Sequence, residues 1–288
     1  MDRLALLIFA ALALAPARAR AGEVIETPSV RVEFEEGDAP RARDVPACLR
    51  YARGQLGRRL GLDLPERVTV RLLRDRRAFL GLSGGKPVEL FAGTAYPESA
   101  SIHVNMKAVD RDPGHGACAR TVRHELVHLA VAHSLGRPDF PKWFEEGLAC
   151  EFASPPRRLK EFRGAPRLET LARFPSGDAE ALSRAYAQAD SVVRFLMSRR
   201  GEPAVKDLLR RVGEGEPFEN ALRAATGYTT ASLDADWRAA HRPQWAWRAI
   251  RFVFAPSMVL LWAALIAIAG FFIVRRRRRA QEESFFPE

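Results

Sequence analysis

Alternating apolar and polar residues predict short β-strands in the first third of the chain. Residues 24–34 alternate towards their end, and residues 68–72, Val-Thr-Val-Arg-Leu, alternate throughout. Because side chains along a strand point in turn to its two faces, this pattern is typical of a strand with one buried face. We expect two more strands at residues 88–91 and 101–106, on either side of a turn, and a helix over residues 46–60.

Helical periodicity dominates the chain after residue 120. An apolar helical segment ends at a turn that contains Gly136, Pro138 and Pro141. A second segment starts at this turn, and a long amphipathic helix is expected over residues 178–200, followed by three shorter helices. Strands that precede a run of helices predict an α+β fold, with a small mixed β-sheet followed by a helical part.

Apolar runs lie near both ends of the chain. The first, residues 4–15, follows Arg3 and precedes an Ala-Arg-Ala segment, so we expect residues 1–21 to be a secretory signal peptide; an uncleaved anchor is the alternative. The second, residues 252–274, contains no charged residue and is followed by five arginines. This run predicts one C-terminal transmembrane helix, and the arginines predict a basic cytoplasmic tail over residues 275–288.

Charge and cysteine content narrow the possible functions. The net charge is +10 over 288 residues, but between the two ends of the chain the basic residues form no dense patch, so we expect no binding to nucleic acids. The three cysteines, Cys48, Cys118 and Cys150, include no C-x-x-C pair, which argues against a cysteine zinc site. Their pattern leaves open whether two of them form a disulfide or all three are buried thiols.

The segment with the clearest chemistry is His124–His128, which reads H-E-L-V-H and fits the H-E-x-x-H pattern. Residues four apart on a helix lie on one face, so the two imidazoles can bind a single metal ion. Glu125 lies about 100° around the helix from His124, where it can take a proton from a water molecule at the metal. The longer metzincin pattern is absent, because Val131 and Ser134 stand where it requires Gly and His.

A third ligand is expected from a second element. A catalytic zinc ion takes three protein ligands and keeps one position for water. The segment Trp143–Ala149, W-F-E-E-G-L-A, follows the turn after the first helix and contains Glu146. Glu146 is therefore the candidate third ligand.

Together, H-E-L-V-H and W-F-E-E-G-L-A resemble the gluzincin metallopeptidases, and most closely the peptidase MA-like families of bacterial envelope proteins. The resemblance covers roughly residues 68–240 and includes segments at 90–97 and 186–197. It implies a zincin-like domain over residues 22–244, with the sheet and metal helix in 22–135 and a helical part in 136–244.

The same resemblance implies a set of metal ligands. In gluzincins the glutamate directly before glycine in W-x-x-E-G-x-A binds zinc, which implies Zn²⁺ held by His124, His128 and Glu146. Glu145 stands where many relatives have Asn.

Two further features of the site follow from the resemblance. In zincins the strand before the metal helix borders the cleft as a sheet edge, where a peptide can add as an extra strand. This implies that Ile102, His103, Val104 and Asn105 bind the substrate; a plain sheet strand is the alternative. Gluzincins often stabilise the transition state with a Tyr or His from the helical part, for which Tyr186 is the candidate, and a packing role is its alternative.

We therefore expect a membrane-anchored, zinc-dependent peptidase that hydrolyses a peptide or protein substrate, with Glu125 as general base. Its catalytic domain is expected outside the cytoplasm, on the periplasmic side of a bacterial inner membrane. The alternative is a catalytically inactive binding or scaffold protein of the cell envelope that keeps the metallopeptidase fold.

Overall fold

The structure is a computed structural model. It describes residues 22–75, 79, 92–112, 116–136, 139–153, 164–175, 178–241 and 256–285. The chain divides into two units, Met1–Trp237 and Arg238–Glu288. The predicted signal peptide and the strand predicted at residues 88–91 lie outside the described residues and stay predictions.

The first unit contains a five-stranded mixed β-sheet. Its strands are β1 (Glu23–Glu26), β2 (Val30–Phe34), β3 (Val68–Leu73), β4 (Gly93–Tyr96) and β5 (Ser101–Asn105). Their spatial order is β1-β2-β3-β5-β4, in which β2, β3 and β5 run parallel while β1 and β4 pair antiparallel. Among the described strands β4 is therefore at the edge, and β5 lies inside the sheet.

The alternation along β2 and β3 decides which face of the sheet is buried. Val32 and Val70 are fully buried and belong to the hydrophobic core. On the opposite face the register aligns Glu33, Arg71 and His103 on neighbouring strands. Arg71 donates hydrogen bonds to Glu33 at 2.8 Å and to Nε2 of His103 at 3.1 Å, so this face is held by a polar row.

Helices make up most of the remaining described chain. They are α1 (Ala39–Leu60), α2 (Met106–Arg111), α3 (Ala117–Leu135), α4 (Lys142–Ala153), α5 (Ala179–Gly213), α6 (Phe218–Thr226), α7 (Thr230–Ala240) and α8 (Pro256–Phe285). Helix α5 is interrupted at Gly201, where φ is 80° and ψ is 164°, and Pro203 follows. The two helical segments expected before and after this glycine therefore lie on either side of a kink.

One hydrophobic core joins the sheet to the helices of the first unit. Ile102 of β5, Leu49 of α1 and Leu126 of α3 are fully buried in it. Helix α3 packs against α1 and α4 and against strands β4 and β5, and α4 packs closely against α5. This packing places α3, α4, α5 and the edge strand β4 around one point.

The predicted transmembrane helix over residues 252–274 is wrong. Among the described helices, none is both long enough and apolar enough to cross a membrane. Helix α8 covers most of this segment and continues through Arg275–Arg279. The rest of the predicted fold class is confirmed, because a small mixed sheet is followed by helices.

Candidate metal centre

Helix α3 carries the H-E-x-x-H segment. It begins after Gly116, where φ is 76°, and ends at Gly136, where φ is 74°. Val122 and Leu126 are fully buried in the core. Because these apolar residues fix one face of α3 inside the core, His124 and His128 are turned towards α4.

Helix α4 carries Glu146, and the glycine after it allows α4 to approach α5. A Cβ atom at Gly147 would lie 2.4 Å from the carbonyl oxygen of Ala189 and 2.6 Å from Cγ2 of Val193. Any larger residue would therefore push the two helices apart. The close approach fixes the position of α4 on α5. It therefore also fixes which face of α4, the one with Glu146, contacts α3.

The three predicted ligands converge. Nε2 of His124 lies 3.3 Å from Nε2 of His128 and 3.2 Å from Oε2 of Glu146. Nε2 of His128 lies 3.6 Å from the same carboxylate oxygen. Among the described residues, these are the only three His, Cys, Asp or Glu side chains grouped with all ligand atoms within 4.8 Å of one another.

The spacing of these atoms fits a zinc ion. In a tetrahedral site with ligand distances of about 2.0–2.1 Å, neighbouring ligand atoms lie about 3.3–3.4 Å apart. The three distances here run from 3.2 to 3.6 Å. Two imidazole nitrogens and one carboxylate oxygen are also ligands that zinc accepts, and three protein ligands are the number that leaves one position for water. The residues present therefore fit the ion.

Each imidazole has a second partner at Nδ1. Nδ1 of His128 lies 3.1 Å from Oε1 of Glu145, which also accepts a hydrogen bond from Lys142 at 2.6 Å through its other oxygen. Nδ1 of His124 lies 4.0 Å from Sγ of Cys150. The sequence pattern alone assigns neither partner; the one signal it offers is that both lie within about one helical turn of Glu146 on α4.

The pKa values show that this cluster attracts positive charge. Burial favours the neutral form of His128, but Glu146 and Glu145 outweigh burial and raise its pKa to about 9. Burial alone would raise the pKa of Glu145, yet His128 and Lys142 hold it at about 2. Burial acts in the same way on Glu146, and the two histidines hold its pKa well below the usual range. The carboxylates are therefore ionised where the ligand atoms meet.

Glu125 lies between the cluster and the edge strand β4. The residue is buried, and its pKa is raised by burial, against the charges of His124 and His128 and a hydrogen bond from the backbone N–H of Ala95. A Cβ atom at Gly93 would lie 2.9 Å from Cγ of Glu125. Strand β4 thus holds the Glu125 carboxylate with one backbone donor and leaves room for it at a glycine.

Tyr186, the predicted transition-state stabiliser, lies at the same site. Its ring is 6.2 Å from the His124 ring and packs edge-on against Phe174 at 5.1 Å. Burial raises the pKa of Tyr186, and the nearby carboxylates of Glu146 and Glu125 raise it further, so its hydroxyl group keeps its proton and can act as a donor. A cleft of about 270 Å³ is lined by His124, Glu125 and Tyr186, among others.

The sheet-edge position expected for the four predicted substrate-binding residues is wrong, while their binding of substrate stays a prediction. Ile102, His103, Val104 and Asn105 form β5, which is paired with β3 on one side and β4 on the other, and all four are buried. The edge position belongs to β4, because the chain makes a short antiparallel return before β5. Glycine and proline bound the β4 segment, so its sequence pattern predicts a turn instead of a strand.

His103 has a different environment from the one expected. It accepts a hydrogen bond from Arg71 at Nε2, and the ring of Tyr96 packs against it at 4.5 Å. Burial, followed by the charge of Arg71, lowers the pKa of His103 to about 4, so the ring is neutral at physiological pH. His103 therefore belongs to the polar row on the sheet face opposite the core.

All three cysteines of the chain are buried and free, which agrees with the thiol alternative. Cys48 and Cys118 line a second cavity of about 360 Å³, which is lined by none of the three ligand residues. Cys150 alone lies at the metal cluster.

An α+β domain with an edge strand over a helix that carries two histidines, and with a glutamate from the next helix, defines a metallopeptidase-like protein. A family model for the Peptidase MA superfamily matches residues 86–242, more than half of the chain. The chain therefore belongs to the Peptidase MA superfamily, and the resemblance seen in the sequence is confirmed. No curated protein matches the chain.

Proposed function

We propose that this protein is a zinc-dependent peptidase that hydrolyses peptide bonds in a peptide or protein substrate. The observation that carries the proposal is the convergence of three ligand atoms at 3.2 to 3.6 Å from one another, with Glu125 and Tyr186 lining the same cleft. Membership of the Peptidase MA superfamily supports the hydrolase class.

His124, His128 and Glu146 would hold the ion, which when bound polarises a water molecule and lowers its pKa towards neutrality. Glu125 would accept a proton from the attacking water and pass it to the leaving amine. Its carboxylate is oriented for this task by the N–H group of Ala95 and by the space at Gly93. The protonated hydroxyl of Tyr186 donates to the oxygen that becomes negatively charged in the transition state.

The outer edge of β4, which none of the described strands covers, is our candidate for substrate binding. The N–H of Asn105 donates to the carbonyl of Ala92 at 2.8 Å, so this pair is a hydrogen-bonded one. Hydrogen-bonded and non-hydrogen-bonded pairs alternate along an antiparallel ladder, so Gly93 and Ala95 belong to non-hydrogen-bonded pairs. Their backbone N–H and C=O groups consequently point away from β5. A peptide that adds to this edge would run past Glu125, because Ala95 is within hydrogen-bonding reach of it.

Two substitutions on α3 test the proposal. We expect His124→Ala to lose bound zinc, and Glu125→Gln to keep it while kcat falls about 10²–10⁴-fold, the usual contribution of a general base. His133→Ala is the control, because it removes an exposed histidine from the same helix.

Metal content by mass spectrometry and hydrolysis of an unfolded protein or a quenched peptide library are the two measurements. Full activity in Glu125→Gln protein would contradict its role as the base. Zinc binding without any hydrolysis by the native protein would favour the inactive binding protein instead.

A further inference from the structure

The two histidines of the metal centre are held by partners of different chemistry. Both direct Nε2 to the cluster, so the direction of each ring depends on what holds Nδ1. Partners at this nitrogen orient a metal-binding imidazole and raise its basicity, and their loss typically weakens metal binding. The identity of these partners therefore affects how well each ring serves as a ligand.

The partner of His128 is the stronger one. Glu145 presents a carboxylate oxygen 3.1 Å from Nδ1, and a charge-assisted hydrogen bond to a carboxylate is roughly twice as strong as a neutral one. Lys142 fixes the carboxylate from the other side with a bond of 2.6 Å. Glu145 is thus held between a lysine and the histidine that it orients.

The partner of His124 is the weaker one. The Sγ atom of Cys150 lies 4.0 Å from Nδ1, at the upper limit for a hydrogen bond to sulfur, and a thiol is a weak acceptor. The carboxylate of Glu151, the next residue on α4, faces two arginines instead: its Oε1 atom lies 3.0 Å from Arg59 and 3.8 Å from Arg194.

We propose that Glu145 and Cys150 are the positioning residues of the metal centre, that each holds one metal-binding histidine by Nδ1, and that the thiol holds His124 less firmly than the carboxylate holds His128. Helix α4 then supplies the third ligand together with both positioning residues. The inference rests on the proposed function only in taking zinc as the bound ion.

The test compares zinc dissociation constants by competition with a chromophoric chelator, using the full chain and variants of equal helical content. We expect Glu145→Ala to weaken zinc binding about 10–100-fold and Cys150→Ala to weaken it measurably but less, within about 10-fold. Glu145→Gln should recover most of the affinity, because its amide oxygen can still accept a hydrogen bond from Nδ1. Cys118→Ala is the matched control, since it removes an equally buried thiol that lies away from the ligands.

A second measurement separates positioning from general packing. With Co²⁺ in place of zinc, the visible absorption bands report ligand geometry, and we expect them to change in Glu145→Ala and Cys150→Ala but not in Cys118→Ala. The inference is overturned if Cys150→Ala behaves like Cys118→Ala, if it weakens zinc binding as much as Glu145→Ala does, or if Glu145→Gln fails to recover affinity.

These outcomes are independent of catalysis. If zinc affinity falls in the expected order among the variants but the native protein cleaves no peptide, the peptidase proposal is refuted and the inference stays intact. If the native protein cleaves peptides but Cys150→Ala leaves its zinc affinity unchanged, only the inference is overturned.

Discussion

The absence of a side chain at Gly93 leaves space for the reacting carboxylate of Glu125. A Cβ atom at this residue would lie 2.7 Å from Cγ2 of Thr121 and 2.9 Å from Oε1 of Glu125. Such distances are too short for any side chain, so the Glu125 carboxylate occupies space that only glycine leaves free.

We predict that Gly93→Ala lowers kcat by up to about 100-fold, because a displacement of roughly 1 Å at a catalytic group can cost that much. Zinc affinity should stay unchanged, since Gly93 lies against Glu125 and not against a ligand. Steady-state kinetics and chelator competition would measure the two effects. Thr94→Ala is the control, because successive side chains of a strand lie on opposite faces; equal losses in both variants would contradict the prediction.

At the scale of residues, the sequence predicts what depends on spacing along one helix. His124 and His128 lie one turn apart, and their convergence follows from helical geometry alone. The partners of these ligands depend on how separate elements pack, which no local pattern specifies. The sequence therefore predicts no role for Glu145 or Cys150, and the role it predicts for His103 is not one that the buried contact with Arg71 suggests.

At the scale of elements, the order of strands was the part that the sequence could not predict. Alternation identifies a strand with one buried face, but it carries no information about which strands are neighbours. Within the described part of the sheet, the β4–β5 return places β5 between two strands and β4 at the edge. We therefore propose that residues 93–96, and not residues 102–105, contact the substrate.

The packing of α4 on α5 depends on Gly147. A Cβ atom there would meet the backbone of Ala189 at 2.4 Å, and backbone cannot move aside as a side-chain tip can. We predict that Gly147→Ala destabilises the protein by about 1–3 kcal/mol, the usual cost of overpacking, although alanine favours helix formation. It should also weaken zinc binding, because Glu146 is the adjacent residue.

Gly57→Ala is the matched control for that variant. Gly57 lies inside α1, and its nearest contacts for a Cβ atom are ordinary ones at 3.9 Å. The substitution should stabilise the protein by about 0.5–1 kcal/mol, because it removes backbone freedom from the unfolded chain without a clash. Urea denaturation measures both variants, and a Gly147→Ala protein as stable as Gly57→Ala would contradict the packing argument.

At the scale of the whole molecule, the metal centre connects helices that a long turn separates in sequence. Its ligands come from α3 and α4, and the unfolded chain does not hold them together. An ion that binds the folded state preferentially stabilises it by RT ln(1 + [L]/Kd). The ion should therefore stabilise the α3–α4 pair and, through the close contact of α4 with α5, the first unit.

We predict that zinc at 100 times its Kd adds about 2.7 kcal/mol to the free energy of unfolding, and less if unfolded histidines also bind it. For a unit of this size, that corresponds to a rise in Tm of about 5–10 °C. Scanning calorimetry of the full chain, with zinc and with excess chelator, measures the difference. His124→Ala protein should show no zinc-dependent shift, because two ligands alone bind the ion weakly. A native Tm that is unaffected by zinc, or a shift of equal size in His124→Ala protein, would mean that the cluster on α3 and α4 does not hold the ion.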